Sequence, residues 1–233
     1  MVYASGIQTE QSKAIIHLLY SQSMDITFIS DTHGLHGRLK LKQGTVLIHT
    51  GDVTEYGSED EVVEFLSWFS RQPFDYKVFI AGNHDLFLEA CTPAKRRKTI
   101  PSDIIYLQNS GIEIAGLKVW GSPVTPYFLG MAFNARQGLE IKRVWNKIPS
   151  DTDILITHGP PAGILDNGIG DEGLLLKVNK IQPLVHCFGH AHGQNGVETN
   201  NETTFINASI VNSLDPFKNE DYRMIGQPVI YKI

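Results

Sequence analysis

The stretch Ile26-Thr27-Phe28-Ile29-Ser30-Asp31-Thr32-His33-Gly34 carries two messages in nine residues. Four β-branched or aromatic side chains read as a short buried strand, and they run straight into a polar cluster. The same grammar recurs downstream. Val46-Leu47-Ile48 runs into Thr50-Gly51-Asp52, and Lys77-Val78-Phe79-Ile80 runs into Gly82-Asn83-His84-Asp85. Between the second and third runs, Ser58 with Glu61 three residues on forms a capping box that opens a helix. Val62, Val63, Phe65, Leu66, Trp68 and Phe69 supply the apolar side of that helix. Strand, helix and strand in this order predict a βαβ unit with parallel strands and a right-handed crossover, hence an α/β fold.

Farther along, Ile104 to Leu107, Ile112 to Ile114 and Leu117 to Trp120 read as strands with a tight hairpin at Ala115-Gly116. Gly138 to Lys147 reads as a helix stopped before Pro149. Strand-like runs return at Ile154 to Ile156 and Leu184 to Phe188. Thr204 to Ile206 and Pro228 to Tyr231 read as antiparallel strands. The sum is an α/β body of mixed sheets with helices outside. Residues 1–23 form an expected extension, with a short apolar segment from Ala14 to Tyr20 as either a packed helix or a loose leader, and 24–233 the expected catalytic domain.

Composition narrows the classes of function. The 233 residues carry a net charge of −5, which argues against a partner held by phosphate attraction such as nucleic acid. An apolar fraction of 42% suits a globular chain. Two cysteines are too few for a disulfide scaffold. No apolar run approaches the ~18 residues of a membrane span, and no signal peptide is recognised, so the expectation is a soluble, cytoplasmic protein.

Five runs end in polar clusters, the last two being Thr157-His158-Gly159-Pro160-Pro161 and Gly189-His190-Ala191-His192-Gly193. In open α/β sheets ligands bind beyond the carboxyl ends of the strands, so clusters placed there converge if the strands lie side by side. Asp31, His33, Asp52, Asn83, His158, His190 and His192 offer nitrogen and oxygen donors without a thiolate, which suits Mn, Fe, Zn, Co or Ni. These donors are too many for one tetrahedral ion and fit two divalent ions with Asp52 as the bridge, Mn being favoured. Such a pair clamps an in-line displacement at phosphorus and supplies hydroxide near neutral pH. The two-residue spacing of Asp31 and His33, and of His190 and His192, puts each pair on one face if the segment is extended.

In order, the clusters resemble the calcineurin-like metallophosphoesterase superfamily, whose pattern is D-x-H, G-D, G-N-H-[DE], H and G-H-x-H. The resemblance implies a four-layer αββα sandwich of two mixed sheets flanked by helices. It implies one metal site from Asp31, His33, Asp52 and His192, and a second from Asp52, Asn83, His158 and His190. It also implies that His84 contacts the phosphate and protonates the leaving oxygen, with Asp85 placed to orient it. A closer likeness, carried by Ser30 to His33, Gly121 to Phe128 and Leu155 to Pro161, is to the branch of small metallophosphoesterase-domain-containing proteins. Its animal members are similar to cyclic-nucleotide phosphodiesterases, so the expected reaction is hydrolysis of a small nucleotide-like phosphodiester by hydroxide made at the metals. A non-catalytic interaction scaffold and a metal-dependent nuclease are the alternatives. Glu55 stands three residues after Asp52, where a purple acid phosphatase has its metal-binding Tyr.

Other residues carry weaker signals. His36 is open between substrate contact and loop packing, while His17, His49 and His186 read as structural. Tyr127 and Phe128, with Phe133, form either an aromatic wall for a base or core packing. Lys95 to Lys98 reads as a solvated helix face, with a phosphate-steering patch as the minority reading, Asp166 to Asp171 as a mobile rim loop or, by default, an ordinary loop, and Cys187 as a small core residue.

Overall fold

The computed structural model describes residues 24–200, 202–213 and 222–233. The expected extension, including His17, lies outside the described residues. Strands β1 (Asp25–Ile29), β2 (Gly44–His49), β3 (Phe74–Phe79) and β4 (Ile104–Tyr106) pair in parallel, and β15 (Val229–Lys232) closes the β1 edge antiparallel. The second sheet has the order β11-β12-β10-β9-β6-β5. It is built from β5 (Ser110–Ile114), β6 (Leu117–Ser122), β9 (Ile154–Thr157), β10 (Val185–Phe188), β11 (Gly196–Thr199) and β12 (Thr204–Asn207). Two small ribbons complete the strands, β7 (Thr125–Pro126) with β8 (Asn134–Ala135) and β13 (Val211–Ser213) with β14 (Tyr222–Met224).

Period-two alternation along the strands builds the layers. Ile26 and Phe28 of β1, Val46 and Ile48 of β2, and Val78 of β3 meet Val119, Ile154, Ile156, Val185, Cys187 and Ile206 of the second sheet in a central core. The residues between them face the other way. Ile29, Leu47 and Phe79 pack on Val62, Phe65, Leu66 and Phe69 of helix α1 (Glu59–Ser70). Across the molecule, Leu155, Phe188 and Phe205 pack on Ile141 and Trp145 of α4 (Leu139–Trp145) and on Leu174 and Val178 of α5 (Glu172–Ile181). Helix, sheet, sheet, helix is the four-layer order the resemblance implied. Two shorter helices, α2 (Leu86–Ala90) and α3 (Pro93–Thr99), follow β3. Among the described residues, no helix is long and apolar enough to cross a membrane.

The βαβ unit over β2, α1 and β3 forms as read, and Ser58 and Glu61 make both bonds of the capping box. Four readings need correction. Ile104 to Tyr106 joins the first sheet, while the hairpin at Ala115-Gly116 belongs to the second; backbone φ of 49° and 82° there suits a primed turn. Thr204 to Asn207 runs parallel to β10 and antiparallel to β11, so the last strands lie in different sheets. Arg96 does not sit on a solvated face: it donates to the Leu88 carbonyl at 2.8 Å and to Gln108 Oε1 at 2.7 Å. The segment 166–171 is tied down, because the Asp166 carboxylate accepts from Gly163, Gly168 and Gly170. Asp171 there caps α5 at Leu174 N and takes the Trp145 indole N–H at 2.8 Å.

Candidate metal centre

The parallel strands β1, β2 and β3 end side by side, and their loops keep pairing after the sheet stops. Asp31 N–H donates to Gly51 O at 2.9 Å, and His33 N–H donates to Asp52 O at 3.1 Å. The second sheet is stitched to the same place by Ile210 N–H on Ser30 O at 2.9 Å and by a bridge between Ser30 and Ser209. Gly189 N–H donates to His158 O at 2.9 Å, which sets the β10 loop beside the β9 loop. Both sheets therefore deliver their carboxyl-end loops to one seam.

Three groups of donors meet at that seam, one of them His33, Glu55 and His84. In the other two, ligand atoms of Asp31, His33, Asp52 and His192 lie within 4.8 Å of one another, and so do those of Asp52, His158 and His190. Asp52 is common to both: its Oδ2 lies 3.6 Å from His33 Nε2 and 3.3 Å from His158 Nε2. Asn83 Oδ1 lies 2.9 Å from His158 Nε2, which adds an oxygen to the second group. His192 Nε2 lies 3.3 Å from Asp31 Oδ1 and 3.2 Å from His33 Nε2. Imidazole nitrogens facing one another this closely, with carboxylates between them, form a donor set that fits bound cations. The structure thus gathers the seven expected ligands.

Backbone shape, rather than extended spacing, aims them. Asp31, His33, Asp52 and His190 have φ of 50°, 42°, 55° and 64°. Left-handed backbone at non-glycine residues costs about 1–3 kcal/mol each and persists where the surroundings enforce it. The spacing argument for Asp31 with His33 and for His190 with His192 therefore reached the right residues through the wrong conformation. Glycines make the close approach possible. A Cβ on Gly82 would strike the Asp52 carboxylate, and one on Gly189 would strike Ser30 Oγ and the Asp31 carboxylate.

Surrounding groups fix the charge of each donor. Asp31 accepts from His190 N–H at 3.0 Å and from the Ser209 hydroxyl at 2.8 Å. Burial would raise its pKa, but the hydrogen bond and charge of His192 hold the carboxyl well below the usual range. Burial also opposes ionisation of Asp52, and the charges of His158 and His84 outweigh it. His158 is the counterpart: despite burial, Asp52 lifts it to about 9. Its Nδ1–H donates to Thr50 O at 2.9 Å, which leaves Nε2 to face Asp52 and Asn83. Burial pushes His190 down to about 3, leaving a neutral ring able to ligate.

His84 lies in the same seam. Its backbone N–H donates to Asp52 Oδ1 at 2.8 Å, and its Nδ1 bonds the Glu55 carbonyl at 2.9 Å. The charge of Asp52 outweighs burial and raises its pKa. Asp85 does not orient this ring. Its fully buried carboxylate is taken up by Gly82 N–H at 2.7 Å, Thr54 N–H at 3.0 Å and the Thr54 hydroxyl at 2.7 Å. Burial and the nearby Asp52 charge push Asp85 up to about 6 against those donors. It welds the β2 and β3 loops together.

His36 takes the packing role. Its ring lies 5.5 Å from Phe65 and 5.1 Å from Trp68, on α1 rather than in the seam. Tyr127 and Phe128 are 60% exposed on the β7–β8 ribbon, which hangs from Asn83 through Ala132 N–H on its carbonyl at 3.0 Å. Phe133 is buried in the α1-side core, not part of an aromatic wall. His49 and His186 are structural: His49 accepts from Gly51 N–H and bonds Thr32, and His186 bonds Thr157.

Two site residues escaped the sequence reading. Tyr222 stacks on His33 at 4.5 Å and meets His192 edge-on at 5.7 Å. It lies far from every cluster in the chain, so no local signal marks it. Glu55 lies 3.1 Å from His33 Nδ1, and its spacing from Asp52 was the available clue.

Known proteins resemble this chain in sequence and fold. The chain is 35% identical over 230 residues to metallophosphoesterase domain-containing protein 1 of Homo sapiens, covering 87% of this chain and 68% of the human one. It is 37% identical over 206 residues to a UPF0046 protein of Caenorhabditis elegans, covering 81% and 70%. Among solved structures, TT1561 of Thermus thermophilus shares the fold with a TM-score of 0.54 at 13% identity, covering 80% of this chain and 89% of that one. Residues 24–194 match the calcineurin-like phosphoesterases, and this chain belongs to that family.

Proposed function

We propose that this protein is a phosphodiesterase that holds two divalent ions, manganese favoured, and hydrolyses a small nucleotide-like diester. One observation carries the reading: the Asp52 carboxylate belongs to both donor groups. Asp31, His33, Asp52 and His192 would hold one ion, and Asp52, Asn83, His158 and His190 the other. Mixed imidazole and oxygen donors without sulfur suit Mn, Fe, Zn, Co or Ni. Ions bound there supply Lewis-acid polarisation of the phosphoryl group and lower the pKa of water.

The chain's own groups do the rest. Asp52 Oδ1 accepts from His84 N–H, and its Oδ2 lies between His33 and His158. His84, pinned at Nδ1 by the Glu55 carbonyl, has Nε2 left to donate a proton to the departing alkoxide. The charge of Asp52, set against burial, shifts the pKa of His84 upward, the direction a proton donor needs. Tyr127 and Phe128 present an exposed aromatic lip on a ribbon tied to Asn83, suited to stacking against a base.

Metal analysis of the purified protein, paired with turnover of bis(4-nitrophenyl) phosphate and 4-nitrophenyl phosphate, tests the reading. We expect about two ions per chain, faster turnover of the diester, and loss of both metal and activity in Asp52→Asn. A metal-free wild type, or full turnover by that variant, would falsify it. Faster turnover of the monoester would overturn the diesterase part alone.

A further inference from the structure

We infer that Glu55 is a positioning residue that sets one of the metal-ligating histidines through its side chain and the proton-donating histidine through its backbone. This inference rests on the two-ion reading above and deepens it. The Glu55 carboxylate is nine-tenths buried and lies 3.1 Å from His33 Nδ1. The two groups lie within ion-pair distance but outside hydrogen-bond geometry, and among the described residues neither carboxylate oxygen nor His33 Nδ1 has any hydrogen-bond partner. A buried carboxylate with no other partner is costly, so this contact explains its place. The carboxylate beside Nδ1 favours the tautomer with its proton there, which puts the His33 lone pair at Nε2, the atom that faces Asp52 and His192. Tyr222 lies flat on the ring and limits its tilt. The Glu55 carbonyl meanwhile accepts from His84 Nδ1–H, which leaves Nε2 of that ring toward the seam.

What holds Glu55 is visible in the chain. Glu61, on the first turn of α1, accepts from Glu55 N–H at 2.9 Å, Tyr56 N–H at 3.0 Å and Ser58 N–H at 2.9 Å. The capping box of α1 thereby fixes the loop that carries Glu55. From the other side, the Thr54 hydroxyl, which donates to Asp85, lies 3.1 Å from His84 O, and Phe87 N–H donates to Gly57 O at 2.9 Å. One short loop thus positions a ligand of the first donor group and the histidine beside it. Partners of this kind, which hold the far nitrogen of a ligating imidazole, are worth about 10–100-fold in metal affinity.

Calorimetric titration with Mn2+ of chelator-treated wild type, Glu55→Leu and Glu55→Gln tests the inference. Thermal melting of each protein in chelator serves as the fold control. The expected result is that Glu55→Leu melts like wild type in chelator yet binds one of the two ions about 10–100-fold more weakly. Glu55→Gln, whose amide oxygen still accepts from Nδ1–H, should recover most of that affinity. Unchanged affinities in a folded Glu55→Leu protein overturn the inference and leave the two-ion reading standing. A Glu55→Gln protein as weak as Glu55→Leu also overturns it, since the carboxylate would then act by charge or direct ligation. A wild type that takes up no Mn2+ overturns the two-ion reading and this inference with it.

Discussion

His186 shows how burial of one ring becomes a property of the whole protein. It lies among Phe188 and Phe205 with its Nε2 on the Thr157 hydroxyl at 2.8 Å. Burial drives its pKa from 6.5 to about 3. The folded state therefore keeps the ring neutral, while the unfolded chain takes up a proton below 6.5. The unfolded state binds more protons, so stability falls as pH drops through that window and levels off near 3. One such histidine gives a slope of about 1.4 kcal/mol per pH unit. His186→Leu should remove about that slope between pH 6 and 4 in urea unfolding, and parallel curves for the two proteins would contradict the account. The residues bearing chemistry were the most legible part of the chain. Asp, Asn and His next to glycine after an apolar run have few uses besides ligation, and all seven expected ligands meet at the seam. Side-chain aim was not legible. Asp85 follows His84 directly and looked like its partner, but four donors from Val53, Thr54 and Gly82 claim its carboxylate. Such competition is a tertiary fact.

Glu61 shows how much a helix terminus does here beyond starting a helix. Three loop amides end on its carboxylate, and that loop carries the two contacts that hold His33 and His84. Glu61→Ala should cost about 1–2 kcal/mol in urea unfolding, the usual scale for a lost cap. It should also lower diester turnover at saturating Mn2+, although the residue touches no candidate ligand. Normal turnover in a destabilised Glu61→Ala protein would show that the loop does not depend on its cap. The capping box was readable because it is local, Ser58 and Glu61 being three residues apart. Helix α5 was not read, because its cap Asp171 is embedded in a glycine-rich stretch that signals a loop. Strand partners were readable only where a helix or a tight turn joined them. Nothing local tells β15 to pair with β1, or β12 to lie parallel to β10.

At the scale of the molecule, the candidate centre straddles the two sheets. Asp31, His33, Asp52 and Asn83 come from loops of the first sheet, and His158, His190 and His192 from the second. Each donor group draws on both: the first joins Asp31 and Asp52 to His192, the second joins Asp52 to His158 and His190. Separating the sheets would dismantle both groups, so cations bound there tie the halves of the sandwich together. Binding to the folded state alone stabilises it by about 2.7 kcal/mol per site at a hundredfold excess over Kd. For a domain of this size each kcal/mol is worth about 2–4 °C. Mn2+ should therefore raise the melting temperature of the chelator-treated protein by about 5–10 °C per occupied site, with the rise nearly absent in Asp52→Asn. His190→Ala, which leaves Asp31, His33, Asp52 and His192 in place, should keep about half of the shift. Were His190→Ala to lose all of it, the two groups would act as one indivisible site; were wild type to show none, the seam would not be held together by cations at all.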